Sequence, residues 1–177
     1  MKKIIIILLL VLISFSLLDF ISRNSRLDLK PSANLSENVS SFEQKENLFF
    51  RYEIIRYPSS INVTDFNPNE TKTYVGMSGD RTNFNFGFIP RSSSSRKSLN
   101  LTNNQVKSYQ MKFFVFGNIS ELVKLGRSLV LKPGENVEVP VRAQTNLGTP
   151  IGIYTGEVDV VTVLPKNSLS RIIQMVV

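Results

Sequence analysis

The sequence has no cysteine and no histidine, and its aromatic residues are phenylalanine and tyrosine without tryptophan. These absences exclude disulfides, a thiolate nucleophile, a Cys/His zinc site and an imidazole base. A dense basic run is also missing, because the lysines and arginines behind the net charge of +7 are dispersed, with Arg96 and Lys97 a rare adjacent pair. We therefore expect no cofactor, no metal and no nucleic-acid partner.

Catalytic motifs are weak as well. Ser94-Ser95-Arg96-Lys97 has the Ser-x-x-Lys spacing of some acyl-transfer enzymes, but it lies in a serine run without the companion Lys-Thr-Gly motif. Three acids, Glu53, Asp65 and Glu157, alternate with apolar neighbours, so we expect them to face solvent rather than a cleft. No catalytic residue is assigned, and the chain is predicted not to be an enzyme.

The amino terminus has the pattern of an export segment. Lys2 and Lys3 precede an apolar run from Ile4 to Leu18 that only Ser14 and Ser16 interrupt. Residues 1–22 are predicted to form a hydrophobic helix that contacts the membrane through residues 4–21. Ser14 and Ser16 would suit a signal peptidase, whereas continuation through Ile21 would suit an uncleaved anchor. We favour the anchor, which gives a single-pass protein with its carboxyl-terminal domain outside; cleavage would give a secreted protein.

Residues 23–47 are mostly Ser, Asn, Glu and Lys with few large apolar side chains. Such a composition is typical of a polar linker that does not order itself, so we expect a stalk here. A short helix over Ser41 to Asn47 remains an alternative.

Residues 48–177 are predicted to form one all-β domain, because apolar residues recur with period two. Phe84, Phe86 and Phe88 alternate with polar or small residues, as do Leu99 with Leu101 and the valines from Val137 to Val141. Turn signals separate the runs, and Ile119 to Lys124 alone suggests a helical turn. The predicted fold is an antiparallel β-sandwich preceded by the hydrophobic helix. Its further strands are Leu48 to Tyr57, Ile61 to Phe66, Lys72 to Met77, Tyr109 to Phe116, Ser128 to Leu131, Tyr154 to Leu164 and Arg171 to Val177.

A family pattern is visible in Phe86-Gly87-Phe88-Ile89-Pro90 and in Leu99-Asn100-Leu101-Thr102-Asn103-Asn104. Leu129 to Glu135, with its Pro133-Gly134 turn, and Gly152 to Val158 continue it. The pattern resembles the immunoglobulin-like modules related to major sperm protein and to pilus chaperones, over about Asn83 to Val163. The resemblance implies an immunoglobulin-like sandwich like those of archaeal and bacterial membrane-anchored surface proteins, whose roles are mostly structural or adhesive. Gly87 and Gly156 are expected at bulges or close backbone approaches.

Asn-x-Ser/Thr sequons mark candidate N-glycosylation sites of a surface glycoprotein. They lie at Asn34, Asn38, Asn62, Asn69, Asn100 and Asn118. Asn62 and Asn100 alternate with apolar neighbours, which predicts that both project from a solvated strand face.

The function expected from these patterns is a non-catalytic, extracytoplasmic module with a structural, adhesive or protein-interaction role at the cell surface. Its partner would be a protein or a cell-surface polymer. One alternative is a chaperone-like assembly factor that exchanges a strand at a sheet edge, favoured by the apolar ending Ile172 to Val177. A second is a carbohydrate-binding accessory domain or a hydrolase. Phe113, Phe114 and Phe116 mark either a central strand or an exposed docking patch.

Overall fold

A computed structural model of the chain describes residues 2–32, 40–65 and 82–176. Within these ranges it contains two α-helices, one short 3-10 helix at Asn118–Glu121 and nine strands. The helices are α1 (Lys2–Ser25) and α2 (Ser168–Val176). The strands are β1 (Ser41–Glu46), β2 (Phe50–Thr64), β3 (Phe84–Pro90), β4 (Ser94–Thr102), β5 (Tyr109–Gly117), β6 (Val123–Lys124), β7 (Ser128–Leu131), β8 (Asn136–Gln144) and β9 (Gly152–Pro165).

The strands form two sheets. The larger sheet has the order β1-β2-β9-β5-β7, and the smaller one has the order β4-β8-β6. One edge of β2 pairs with β9 along almost its whole length. Its other edge is shared, because β1 pairs antiparallel with residues 51–56 and β3 pairs parallel with residues 59–64. The described pairings are otherwise antiparallel, so the prediction of a mainly antiparallel β structure with an amino-terminal helix is confirmed.

The main core lies between the two sheets, and we call it the inner core. The larger sheet contributes alternate residues such as Ile61, Met111 and Val160, and the smaller one contributes Leu99, Val139 and Val141. Period two along each strand places these side chains on one face. This is the arrangement that the alternating pattern predicted.

A second core covers the opposite face of the larger sheet, and we call it the outer core. On β2 the even-numbered residues Phe50, Tyr52 and Ile54 turn to this face, whereas Ile61 and Val63 turn inward. Val161 and Val163 of β9 complete its floor. The layer above consists of Ile21 at the end of α1, Leu27, Leu29 and Ile173 of α2.

The expected stalk over residues 23–47 is not what the described part of this stretch shows. Ser41–Glu46 forms β1 rather than a linker or a helix. Residues 26–32, which we call the strap, lie over the outer core through Leu27 and Leu29. The hydroxyl of Tyr52 donates a hydrogen bond to the carbonyl oxygen of Ser25 at 2.9 Å. Two apolar residues spaced two apart suffice here, because an extended chain presents both to the same side.

The strand predicted over Arg171 to Val177 is wrong over the described residues 171–176. Residues 171–176 belong to α2, whose amino terminus is capped by Asn167: its Oδ1 accepts from the backbone amide of Ser170 at 2.9 Å. An asparagine cap followed by apolar residues at helical spacing favours a helix at this position. The strand-exchange hypothesis therefore loses the observation that suggested it.

Smaller predictions also change. The break predicted between the strands Leu48 to Tyr57 and Ile61 to Phe66 lies inside β2, where Pro58 falls between the residues that pair with β1 and those that pair with β3. Proline is tolerated there because neither β1 nor β3 pairs with this position, so the missing backbone N–H leaves no strand hydrogen bond unformed. The serine run that contains Ser94 and Ser95 leads into β4, which begins at Ser94, and the helical turn predicted over Ile119 to Lys124 is the 3-10 helix followed by β6. The strand predicted over Lys72 to Met77 lies outside the described residues.

The expected roles of the glycines are confirmed. Gly87 has φ 69° at a bulge where the β2–β3 register shifts between Ser60 and Asn62. Gly134 has φ 73° in the turn after β7, where the amide of Glu135 donates to the carbonyl of Lys132 at 3.0 Å. Gly156 lies where β9 passes against β5, close to the carbonyl oxygen of Phe116.

Helix α1 projects from the rest of the described structure. Most of its large apolar side chains from Ile5 to Phe20 are exposed, and burial begins at Ile21. Among the helices in the described residues, none combines the length and the apolarity needed to cross a membrane.

Replacing Gly156 by alanine should destabilise the domain by about 3 kcal/mol, because the added Cβ would overlap the Phe116 carbonyl and the Ile119 side chain. Urea unfolding followed by circular dichroism measures this loss. The matched control is Gly126→Ala, since nothing lies within 4 Å of a Cβ at that position. We expect the control to change stability by less than about 0.5 kcal/mol. Equal effects at the two glycines would contradict the close approach.

Candidate functional site

Four charged residues meet on the outer face of the larger sheet, and we call them the charge cluster: Glu43 of β1, Arg56 of β2, and Glu157 and Asp159 of β9. Nη1 of Arg56 donates to Oε1 of Glu157 and to Oδ2 of Asp159, each at 3.0 Å. Nη2 of the same guanidinium donates to Oε2 of Glu43 at 2.8 Å. One cation therefore joins three carboxylates from two flanking strands.

Strand pairing places these groups together. Arg56 is the direct cross-strand partner of Asp159, and opposite charges at such positions attract each other. Glu157 lies two residues before Asp159, so both point to the same face. Asp159 is 0% and Glu157 is 2% exposed, whereas the Glu43 side chain lies at the margin of the cluster and is partly accessible.

The strap covers the charge cluster on the outer face of the larger sheet. Nη1 of Arg56 also donates to the carbonyl oxygen of Lys30 at 3.0 Å. The backbone amide of Ser32 donates to Oε1 of Glu157 at 2.7 Å. The cluster therefore fastens a segment that precedes the sandwich in sequence onto strands β2 and β9.

Burial raises the pKa of Asp159 to about 7, and the negative charge of Glu157 adds to the effect, while Arg56 opposes it. Among the residues that the structure describes, none forms a hydrogen bond to Oδ1 of Asp159. At the margin, the hydrogen bond from Arg56 lowers the pKa of Glu43. Burial opposes the charge on Arg56, but its bond to Glu43 and the attraction of Asp159 and Glu157 outweigh burial and raise its pKa. The raised pKa of Asp159 means that its carboxyl changes its protonation state near neutral pH.

Chemically, the cluster is suited to holding structure rather than to transforming a substrate. A general acid must reach the group to which it donates a proton, and neither Asp159 nor Glu157 reaches the surface. The guanidinium of Arg56 fills the position between the carboxylates that a metal ion would need. In the ranges that the structure describes, no group of three or more acidic residues is arranged to hold a metal ion.

Ser94 and Lys97, which have the Ser-x-x-Lys spacing, lie on β4, where residues three apart point to opposite faces of the strand. The two side chains therefore do not meet across that strand. The expectation that Glu157 faces solvent is wrong, because it is part of the charge cluster. Asp65 is exposed and pairs with Arg91, as expected for a solvated acid, and Glu53 is partly exposed.

Three of the sequons can be placed. Asn100 is exposed on β4, and Asn118 is exposed at the start of the 3-10 helix. Oδ1 of Asn118 accepts a hydrogen bond from the amide of Thr155 at 2.6 Å, so this side chain is already engaged. Asn62 is half-buried, on the face of the larger sheet opposite to that of Ile61 and Val63. Asn34, Asn38 and Asn69 lie outside the described residues.

The aromatic run on β5 divides between the two faces of the sheet. Phe113 is buried in the inner core, and Phe114 lies against the outer core. The ring of Phe116 stacks on that of Phe114, with centroids 6.3 Å apart. Since neither Phe114 nor Phe116 is fully exposed, the run resembles a strand buried on both faces more than a docking patch.

Sequence reasoning missed Arg56 and Asp159. Both interrupt apolar runs, after Ile54-Ile55 and between Val158 and Val160. A charge inside such a run signals either a solvated face or a buried pair. Only the register of β2 against β9 distinguishes the two, and that register joins residues far apart in sequence.

No protein-family model, no curated protein and no solved structure matches this chain. The two sheets are compatible with a sandwich, and the immunoglobulin-like type remains a prediction from the sequence pattern.

Replacing Arg56 by methionine should cost about 3 to 5 kcal/mol, because it leaves buried carboxylates without their cation. Chemical unfolding at pH 7.5 measures the loss. Arg51→Met is the control on the same strand, since Arg51 forms an accessible ion pair with Glu46 at 2.9 Å. We expect the control to cost less than about 1 kcal/mol. Similar losses for the two variants would contradict a special role for Arg56.

Replacing Asp159 by asparagine should change how stability depends on pH. A carboxyl whose pKa is raised by folding favours the folded state when protonated, so its contribution is complete below about pH 4 and is lost as pH rises through about 7. Asparagine does not ionise, so the Asp159→Asn variant does not lose stability in this way as pH rises. Relative to the native chain, its free energy of unfolding should therefore increase by on the order of 2 kcal/mol between pH 5 and pH 8.

Urea unfolding at the two pH values, with the exposed Glu121→Gln as control, provides the comparison. A difference between Asp159→Asn and the native chain that is independent of pH would show that Asp159 is ionised throughout this range.

Proposed function

We propose that the chain is a non-catalytic, extracytoplasmic module that α1 holds at a lipid bilayer, with a structural, adhesive or protein-interaction role at the cell surface. In this proposal the folded body is an immunoglobulin-like β-sandwich. Lys2 and Lys3 keep the amino end of α1 on the cytoplasmic side, and the strands lie outside. If α1 were cleaved, the same module would be secreted.

The exposure of α1 is the observation that carries the proposal. Apolar side chains project on every side of the helix, and they have no cover from the described part of the domain. A helix that is apolar all round requires an apolar environment, and a bilayer supplies one. The exposed set is Ile5, Ile7, Leu9, Leu10, Val11, Leu12, Ile13, Phe15, Leu17, Leu18 and Phe20.

The immunoglobulin-like assignment is supported by the placement of the family-like residues. Asn103, the asparagine after β4, is completely buried, and its Nδ2 donates to the carbonyls of Lys107 and Leu131 at 3.0 and 2.9 Å. Its Oδ1 accepts from the amide of Gln105 at 2.8 Å. The asparagine therefore shapes the loop from β4 to β5, which gives the sequence pattern a structural reason.

The two alternatives have less support. An assembly factor that donates its carboxyl-terminal strand would need residues 171–177 extended, and α2 occupies this segment through Val176. A hydrolase would need accessible carboxylates, and the two acids that Arg56 brings together on β9, Glu157 and Asp159, are buried. A structural or binding role requires neither feature.

Introducing two charges into α1, as Leu10→Glu with Leu17→Glu, should abolish binding to membranes. A charge in the hydrocarbon region costs about 3 kcal/mol per residue on insertion scales. Flotation of the full chain with liposomes on a density gradient measures the effect. The control is Leu147→Glu with Ile151→Glu, which places the same charges at exposed apolar positions of the strand region.

We expect the control to float with the liposomes and the α1 variant to remain at the bottom. Flotation of both variants would contradict the role of α1. In the producing cells, protease added to the outside should digest the strand region. A fully protected domain in intact cells that becomes sensitive after lysis would contradict the extracytoplasmic location.

A further inference from the structure

We infer that the exposed face of α2, together with Leu48, rests on the surface of the bilayer beside the point where α1 leaves it. We call these residues the α2 face: Leu48, Leu169 and Ile172, with Lys166 and Arg171. The inference rests on the proposed function of α1 and names the contact that the folded domain itself makes with lipid.

The outer core holds α2 and the end of α1 on the same face of the larger sheet. Ile21, the first half-buried residue at that end, and Ile173 of α2 belong to the same apolar cluster. Immediately before Ile21, Leu17, Leu18 and Phe20 are exposed. If these three residues lie in lipid, the bilayer surface lies near Ile21, and α2 packs in the same outer core as that residue.

Because the strap packs on the domain, no flexible linker separates the end of α1 from the larger sheet. Tyr52 is bonded to Ser25, and Leu27 and Leu29 are packed on the sheet, so the chain enters the domain directly after α1. The domain therefore cannot move far from the membrane while these contacts hold.

The α2 face has the composition of a surface that contacts a lipid interface. Ile173 and Ser170 are buried beneath the helix, whereas Leu169 is 54% and Ile172 is 62% exposed. Leu48 is exposed in the adjoining turn, which is tied to the start of α2 by the hydrogen bond from the Lys166 amide to the Phe49 carbonyl at 3.0 Å. Short helices with apolar residues beside basic ones bind at the boundary between headgroups and acyl chains.

The charges nearby favour an anionic lipid surface. Arg26 and Arg171 are exposed and have no carboxylate partner among the described residues, although Lys166 pairs with Glu46 at 2.7 Å. Basic residues that lie next to an inserted helix gain from negative headgroups. The partner to which we assign this face is therefore a bilayer that contains anionic phospholipid.

Single tryptophans can report the contact, because the natural chain has none. The full-length Ile172→Trp and Leu169→Trp variants are reconstituted into vesicles of phosphatidylcholine and phosphatidylglycerol, with and without brominated acyl chains. Leu147→Trp is the control: Leu147 is 78% exposed and lies near the start of β9, at the opposite end of that strand from α2. All three sites are exposed, so the substitutions should leave the fold intact.

We expect brominated lipid to lower the fluorescence of the two α2 variants about twofold or more, and that of the control by less than about a fifth. Arg171→Glu in the Ile172→Trp background should reduce this quenching in vesicles with anionic lipid. Absence of quenching at both α2 positions in protein that floats with the vesicles would overturn the inference and leave the role of α1 intact. Failure of the protein to float with the vesicles would refute the proposed function itself, and the inference with it.

Discussion

The guanidinium of Arg56 is the contact on which the packing of the amino-terminal half depends. Within the described residues it is the one cation that reaches all three carboxylates, although Lys45 also pairs with Glu43 at 3.2 Å, and it also bonds to the carbonyl oxygen of Lys30. Strands β1 and β9 and the strap therefore meet at a single side chain of β2. Buried ion pairs of this kind contribute little net stability, but losing one partner is costly. The arrangement thus specifies where the strap lies more than it strengthens the sheet.

Strand β2 connects two apolar cores with one chain. Its first half presents Tyr52 and Ile54 to the outer core, and its second half presents Ile61 and Val63 to the inner core. The length that makes this possible also gives β2 two partners on one edge, β1 and β3. Pro58 falls where neither partner pairs, so the strand continues through a residue that usually ends one.

Sequence reasoning reached the features that depend on local pattern. Alternating apolar residues predicted most strands, and the glycine positions predicted a bulge, a turn and a close approach. It failed where the outcome depends on distant pairing. Nothing near Leu27 and Leu29 indicates that a sheet is available to cover, and the run before Arg56 gives no sign of Asp159. Around residues 168–176, apolar residues favoured a strand because the Asn167 cap was not recognised.

The pairing of β2 with β9 has a kinetic consequence. Arg56 and Asp159 are 103 residues apart in sequence, and the larger sheet cannot close until both have been synthesised. Contacts of such long range slow folding, because a large loop must form before the pairing stabilises anything. A nascent polypeptide with this topology cannot complete its larger sheet until β9 emerges, because β9 joins β2 to β5. For the extracytoplasmic module proposed above, this delay would favour passage through a translocation channel, which accepts an extended chain.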